Sequence, residues 1–329
     1  MKKTKSEIDI QEGILRCRGN LLDILLSDKT TNQNIIWGTD TYREYGDEFE
    51  PQKNIHTKLV TGKYNLLIQP RAAKSQKEQR HRTKDKGEVF TPLNIIAKIN
   101  RLLSRSKIDD KNWQNYVREL KLEIACGEAP FIVTRYNPIS EGKLIKIKDR
   151  VGFLDQKLKI VSQFCHSKKI WIHWAKEAYK ASYGYEWQGD NLLLARENLL
   201  YSFVDYYQEK FGKKPEIGTQ EEVAEIISWN IFQMDGLRYV VPMSCRKHAR
   251  VIFSKATLFG NEQSHIEEIE CEGCKKGILY LHNGIYVKIM NWDLNKPILF
   301  TDLLFKPLQF VGSTIIRTQN SIYNETIQK

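Results

Sequence analysis

No stretch of about eighteen apolar residues occurs in the chain, so the sequence offers no membrane span. The opening Met1-Lys2-Lys3-Thr4-Lys5 leads into charged residues and not into the apolar core of a secretory leader. Cysteine is scarce and irregular, six in 329 residues, which argues against a disulfide scaffold and points to the cytoplasm. Acids are outnumbered too: 40 against 51 Lys and Arg leave a net charge of +11 and a pI near 9.2. A polyanion such as DNA is the partner that balance suits. The glycines that let a dinucleotide pyrophosphate approach are missing from Ala125-Cys126-Gly127-Glu128-Ala129, which argues against a Rossmann-type dehydrogenase. At this length the chain can bury a sizeable core and hold two domains.

What is present is organised around Leu122-Glu123-Ile124-Ala125-Cys126-Gly127-Glu128-Ala129-Pro130-Phe131-Ile132-Val133. Apolar residues, an acid, a small-residue turn and apolar residues again predict a buried strand followed by a helix from about Pro130. Gly127 is the residue that lets the backbone come close to a ligand there. Earlier stands Gly87-Glu88-Val89-Phe90-Thr91-Pro92, ahead of a helical stretch over 93–103.

These two segments resemble the adenine-specific DNA methyltransferases of bacterial restriction-modification systems. That family places a Gly-Glu-Phe-Tyr-Thr-Pro-like segment before an Asp-Pro-Ala-Cys-Gly-Ser-Gly-like loop. Here the Ala-Cys-Gly centre is kept and the second glycine is not. The resemblance spans roughly residues 30 to 305. It implies an α/β fold, a three-layer Rossmann-like core that binds S-adenosylmethionine, with Thr91, Glu123, Ala125 and Gly127 at the cofactor.

Downstream, 171–183 carries Trp171, Trp174, Tyr179 and Tyr183 at helical spacing, read as core more than as a base-stacking surface. A strand ending at Glu186 then leads into a helix with Leu193, Leu194, Leu199 and Leu200 as its stripe. A carboxylate at that strand end can accept both ribose hydroxyls, and Glu186 is the candidate, with Asp190 a surface acid. A helix over 220–227 precedes a third strand, ending at Asp235-Gly236. The resemblance puts Asp235 near the adenine amino group of the cofactor; a turn-forming Asp-Gly is the other reading.

The family's Asn-Pro-Pro-Tyr tetrapeptide has no counterpart. Its side chain, carbonyl and ring would hold a flipped adenine in line with the methyl group. No Pro-Pro pair occurs in the chain, and Asn137-Pro138-Ile139-Ser140 is the nearest string. The expectation is therefore an incomplete or split enzyme, its catalytic motif and target recognition on a second restriction-modification polypeptide. A non-catalytic cofactor- and DNA-binding subunit is the alternative.

Two further features carry chemistry. The run Arg71, Lys74, Lys77, Arg80, Arg82, Lys84 and Lys86 is either a phosphate-facing surface or a solvated linker. Cys245 and His248, with Cys271 and Cys274 beyond a long loop, have the spacing of a tetrahedral structural zinc site, His282 being a rival fourth ligand. The expected organisation is a mixed N-terminal region over 1–86, a core over 87–310 with an inserted loop domain over 237–300, and a tail over 311–329. Nothing in the residue types of the N-terminal region assigns it any chemistry.

Overall fold

The computed structural model describes residues 19–74, 79–80, 82–84, 91–103, 111–137, 143–253, 264–305, 308–311 and 314–317. The Gly87 to Phe90 half of the Thr-Pro segment and residues 138–140 lie outside them, as does most of the tail.

Three strands, β1 (Lys121–Glu123), β2 (Ser182–Glu186) and β3 (Ile231–Gln233), form a parallel sheet in that order. Leu122 lies opposite Tyr183, and Tyr185 opposite Phe232. In chain order the helices are α1 (Gly19–Leu26), α2 (Leu93–Leu103), α3 (Trp113–Arg118), α4 (Phe153–Phe164), α5 (Lys168–Lys180), α6 (Gly189–Phe211) and α7 (Ile217–Asn230). Two of them cross over between β1 and β2, and two between β2 and β3, as parallel pairing requires. The protein is thus mixed α/β around a parallel sheet.

Alternation along β2 sorts the two faces. Ser182, Gly184 and Glu186 are buried on one side, and Tyr183 and Tyr185 point to the other. The first face packs on the helices: Trp171, Tyr179 and Phe203 are fully enclosed, so the aromatics of α5 are core. The second face carries a smaller cluster of Phe232, Met234, Val241, Val287, Ile289 and Phe300. Residues 287–300, expected inside an inserted loop domain, therefore cover the sheet itself.

Helix α6 is buried over its whole first half, Gly189 to Leu200, and carries charges there that must be paired. Arg196 spends its guanidinium on four carbonyls, of Leu25, Ser27, Ser228 and Ile231, tying α1 and α7 to the sheet. Asp190, read as a surface acid, is instead fully enclosed: Arg82 and the Tyr42 hydroxyl each donate to its Oδ2 at 2.8 Å. Burial alone would raise that carboxyl, but Arg82, Lys74 and Tyr42 outweigh it and hold it below its ordinary value. The basic run is thereby corrected in part: Arg82 faces inward, while Arg80 and Lys84 are exposed.

The helix expected from about Pro130 does not form. Ala125, Gly127 and Ala129 all have positive φ (45°, 54° and 60°), which breaks a helical path. The Glu123 carboxylate takes the Phe131 and Ile132 amides instead, and the next helix is α4.

Candidate functional site

Because the strands run parallel, Glu123, Glu186 and Gln233 end at one edge of the sheet, where open α/β sheets bind ligands. The loops after them continue the ladder for one more bond, Cys126 N to Tyr185 O (2.8 Å) and Met234 N to Glu186 O (3.0 Å). A cavity of about 810 Å³ opens there, within the size range of small-molecule sites. Thr91, Glu123, Ala125, Gly127 and Glu186 all line it.

Gly127 and Glu186 are joined. The Gly127 amide donates to Glu186 Oε2 at 2.8 Å, and the Gln188 amide donates to Oε1 at 3.0 Å. The Trp187 amide bonds the same carboxylate, so three backbone donors hold it in place at the cavity. Burial pushes the Glu186 carboxyl above its ordinary value, against the pull of those amides. A Cβ on Gly127 would meet no protein atom within 4 Å, so a side chain there would extend into open space and keep a ligand off the backbone. Glu123, also enclosed, accepts from Ile132 N at 3.0 Å and Phe131 N at 3.3 Å. Burial is the largest influence on it, opposed by those amides and reinforced by the neighbouring Glu186, and it is pushed up to about 8.

Asp235 does not reach this lining. Its Oδ1 accepts the amides of Leu237 (2.9 Å) and Arg238 (3.2 Å), and its Oδ2 lies 3.4 Å from the Arg238 guanidinium. That is the self-capped turn that Asp-Gly favours. The wall that Asp235 was expected to share comes from elsewhere: Gly38 and Thr39 of the N-terminal region, with Trp187, Gln188 and Asn191. Nothing local in the sequence marks them, since the Trp187 to Gly38 hydrogen bond joins residues 149 positions apart.

The second site is a compact donor cluster. The Sγ atoms of Cys245, Cys271 and Cys274 each lie 3.6 Å from His282 Nδ1, and all four atoms are within 4.8 Å of one another. These residues can hold a metal ion. Among the described residues His282 completes the group, while the backbone at His248 opens the strand β4 (His248–Phe253), which pairs in a hairpin with β5 (Ser264–Ile269). Gly273, in the short helix α8 (Glu272–Lys276), admits His282, because a Cβ on it would lie 2.5 Å from the His282 amide nitrogen. The Asn283 side chain clasps the Arg246 backbone (3.1 and 2.7 Å) and so fixes the Cys245 arm. Burial raises Cys271, yet the Asn283 and Cys274 amides and His282 outweigh it and bring the thiol down to about 6. Cys245, pushed up first by burial and then by its two neighbouring cysteines, sits at about 12.

No family model matches the chain, and neither does any curated protein or solved structure. Among the described residues no helix is long and apolar enough to cross a membrane.

Proposed function

We propose that this chain is the cofactor-binding part of an S-adenosylmethionine-dependent, adenine-specific DNA methyltransferase of a cytoplasmic restriction-modification system, built on a Rossmann-like core. The observation that carries the reading is the meeting of Gly127 and Glu186 at the carboxyl ends of adjacent parallel strands, over a cavity that Thr91 also lines. The residues fit the cofactor: Glu186 is an acid at the strand end, lining the cavity where a ribose hydroxyl can reach it, and Gly127 leaves room for close backbone approach. The cofactor supplies an electrophilic methyl group on a sulfonium. The chain's own part is to bind it and orient it. The basic charge of +11 suits a DNA partner.

Calorimetry with purified protein tests the cofactor. S-adenosylmethionine is expected to bind, and Glu186→Ala to weaken it by about 1–3 kcal/mol, the usual loss for a hydrogen bond to a charged group. No heat and no change in melting temperature at millimolar cofactor would dispose of the reading.

A non-catalytic subunit is the second reading, favoured by the missing Pro-Pro string. The adenine amino nitrogen is a poor nucleophile, its lone pair being delocalised into the ring. Without acceptors on its protons and a ring to hold the flipped base, proximity to the sulfonium is insufficient. The chain alone is expected to transfer no radiolabelled methyl group to mixed-sequence DNA. Incorporation well above a Gly127→Trp control would show the opposite.

For the Cys₃His cluster, zinc is the ion its donors select: three thiolates and an imidazole, with no position left for substrate, make a structural site.

A further inference from the structure

The N-terminal region, to which the sequence assigns no chemistry, is stitched into the cavity wall. Ile36 N donates to Gln233 Oε1 at 2.8 Å, and Gln233 Nε2 donates back to Ile36 O (2.8 Å) and on to Trp187 O (2.7 Å). Gly189 N donates to Trp37 O at 2.8 Å, and Trp187 Nε1 to Gly38 O at 2.8 Å. The fit leaves no slack. A Cβ on Gly38, whose φ is +63°, would lie 2.6 Å from Trp187 O, and one on Gly189 would lie 2.0 Å from Ile36 O. Residues 36–38 are therefore held by hydrogen bonds against the carboxyl ends of β2 and β3. This delivers Gly38 and Thr39 to the cavity beside Trp187 and Gln188, immediately beyond Glu186. Thr39 is 4% exposed, and its hydroxyl lies 2.8 Å from that of Thr41.

We infer that Gly38 and Thr39, with Gln188, form the base-reading end of an adenine-nucleoside pocket. The inference rests on the cofactor reading above. A nucleoside whose ribose sits on Glu186 sends its base to one side and its substituent chain to the other. Gly127 bonds one Glu186 oxygen and Gln188 the other, so with the chain running along the Gly127 backbone the base falls on the Trp187, Gln188 and Thr39 side. That side carries a hydroxyl, a side-chain amide and an indole, group types that can meet a purine's edge and ring. Asp235, committed to its own turn, is not part of it.

The test is calorimetry with two probes, S-adenosylmethionine and methylthioadenosine, which keeps base and ribose but lacks the amino-acid tail. Thr39→Val is expected to raise Kd for both probes by a common factor of about three- to tenfold, the range for one neutral hydrogen bond. Thr39→Ser should restore both. Thr41→Val, which removes the partner hydroxyl but not the wall, serves as the control for local packing and should leave Kd within twofold of wild type, roughly the noise of one surface contact. Unchanged binding in Thr39→Val, or a loss for S-adenosylmethionine alone, would overturn the inference while leaving the cofactor reading intact. Wild-type protein that binds neither probe overturns both.

Discussion

Protein purified without chelator is expected to carry about one zinc per chain, and Cys274→Ser or His282→Ala almost none. The expectation follows from distances. A tetrahedral zinc with bonds of about 2.3 Å to sulfur and 2.0 Å to nitrogen sets its donors roughly 3.5 Å apart, and each thiol here lies 3.6 Å from His282 Nδ1. Without an ion three cysteines crowd one imidazole, and Cys245 is pushed up by burial and by the two cysteines beside it. The effect on structure should be large but local. Cys245 precedes β4 and Cys271 follows β5, so the ion closes the base of that hairpin and joins it to α8 and the His282 turn. Structural zinc binding is worth about 10–16 kcal/mol in zinc-finger peptides, which bounds what these loops stand to lose. Hydrogen exchange after chelation should rise over 244–253 and 264–286 and stay slow in β1, β2 and β3, whose helix-covered face packs on a cluster that includes none of the four ligands. His248→Ala is the discriminating control, since it should keep its zinc. Elemental analysis that finds no metal in a fully folded preparation would sink the claim.

Local pattern carried a good part of this architecture. The period-2 run ending at Glu186, the apolar stripe of α6 and the helical spacing of Trp171 and Tyr179 each stand where the sequence places them, because each is decided by neighbours a few residues away. The misreadings share a cause of the opposite kind. Pro130 and its apolar neighbours have helical composition, but the Glu123 carboxylate captures two of the amides and three positive φ angles turn the chain aside. Cys245 and His248 have ligand spacing, but an extended strand begins at His248, and His282, packed against Gly273, is the imidazole that stands among the three cysteines. Arg82 belongs to a run of cations that reads as phosphate-facing or as a solvated linker until Asp190, 108 residues away, is seen to need it. The same holds for Gly38 and Thr39, which enter the cavity only through bonds to Trp187 and Gln233. Chemistry shared between distant segments has no local signature, and the cavity is assembled from such segments.

Between about pH 5 and pH 9 the wild type is expected to lose stability that Glu123→Gln retains, as judged by thermal melts. Glu123 is 9% exposed and stands at about 8 in the folded protein against an ordinary 4.5, burial being the main cause. A carboxyl whose folded value is raised holds its proton more tightly in the native state. Its contribution is therefore complete below the unfolded value, shrinks as the pH climbs, and is gone once the folded value is passed. The span corresponds to about 3–5 kcal/mol at most. Glutamine mimics the neutral acid at every pH, so it removes the slope. It also has a cost, since Phe131 N and Ile132 N bond different oxygens and glutamine puts an NH2 in the place of one, so losing the longer of those bonds should take about 1 kcal/mol. The two stability curves should consequently cross: the wild type melts higher in acid, and Glu123→Gln melts higher in alkali. Glu186 is raised by the same burial and its charge acts on Glu123, so the difference between the two proteins includes the release of that repulsion. Parallel curves would mean that Glu123 is ionised in the folded protein throughout, held so by the two amides.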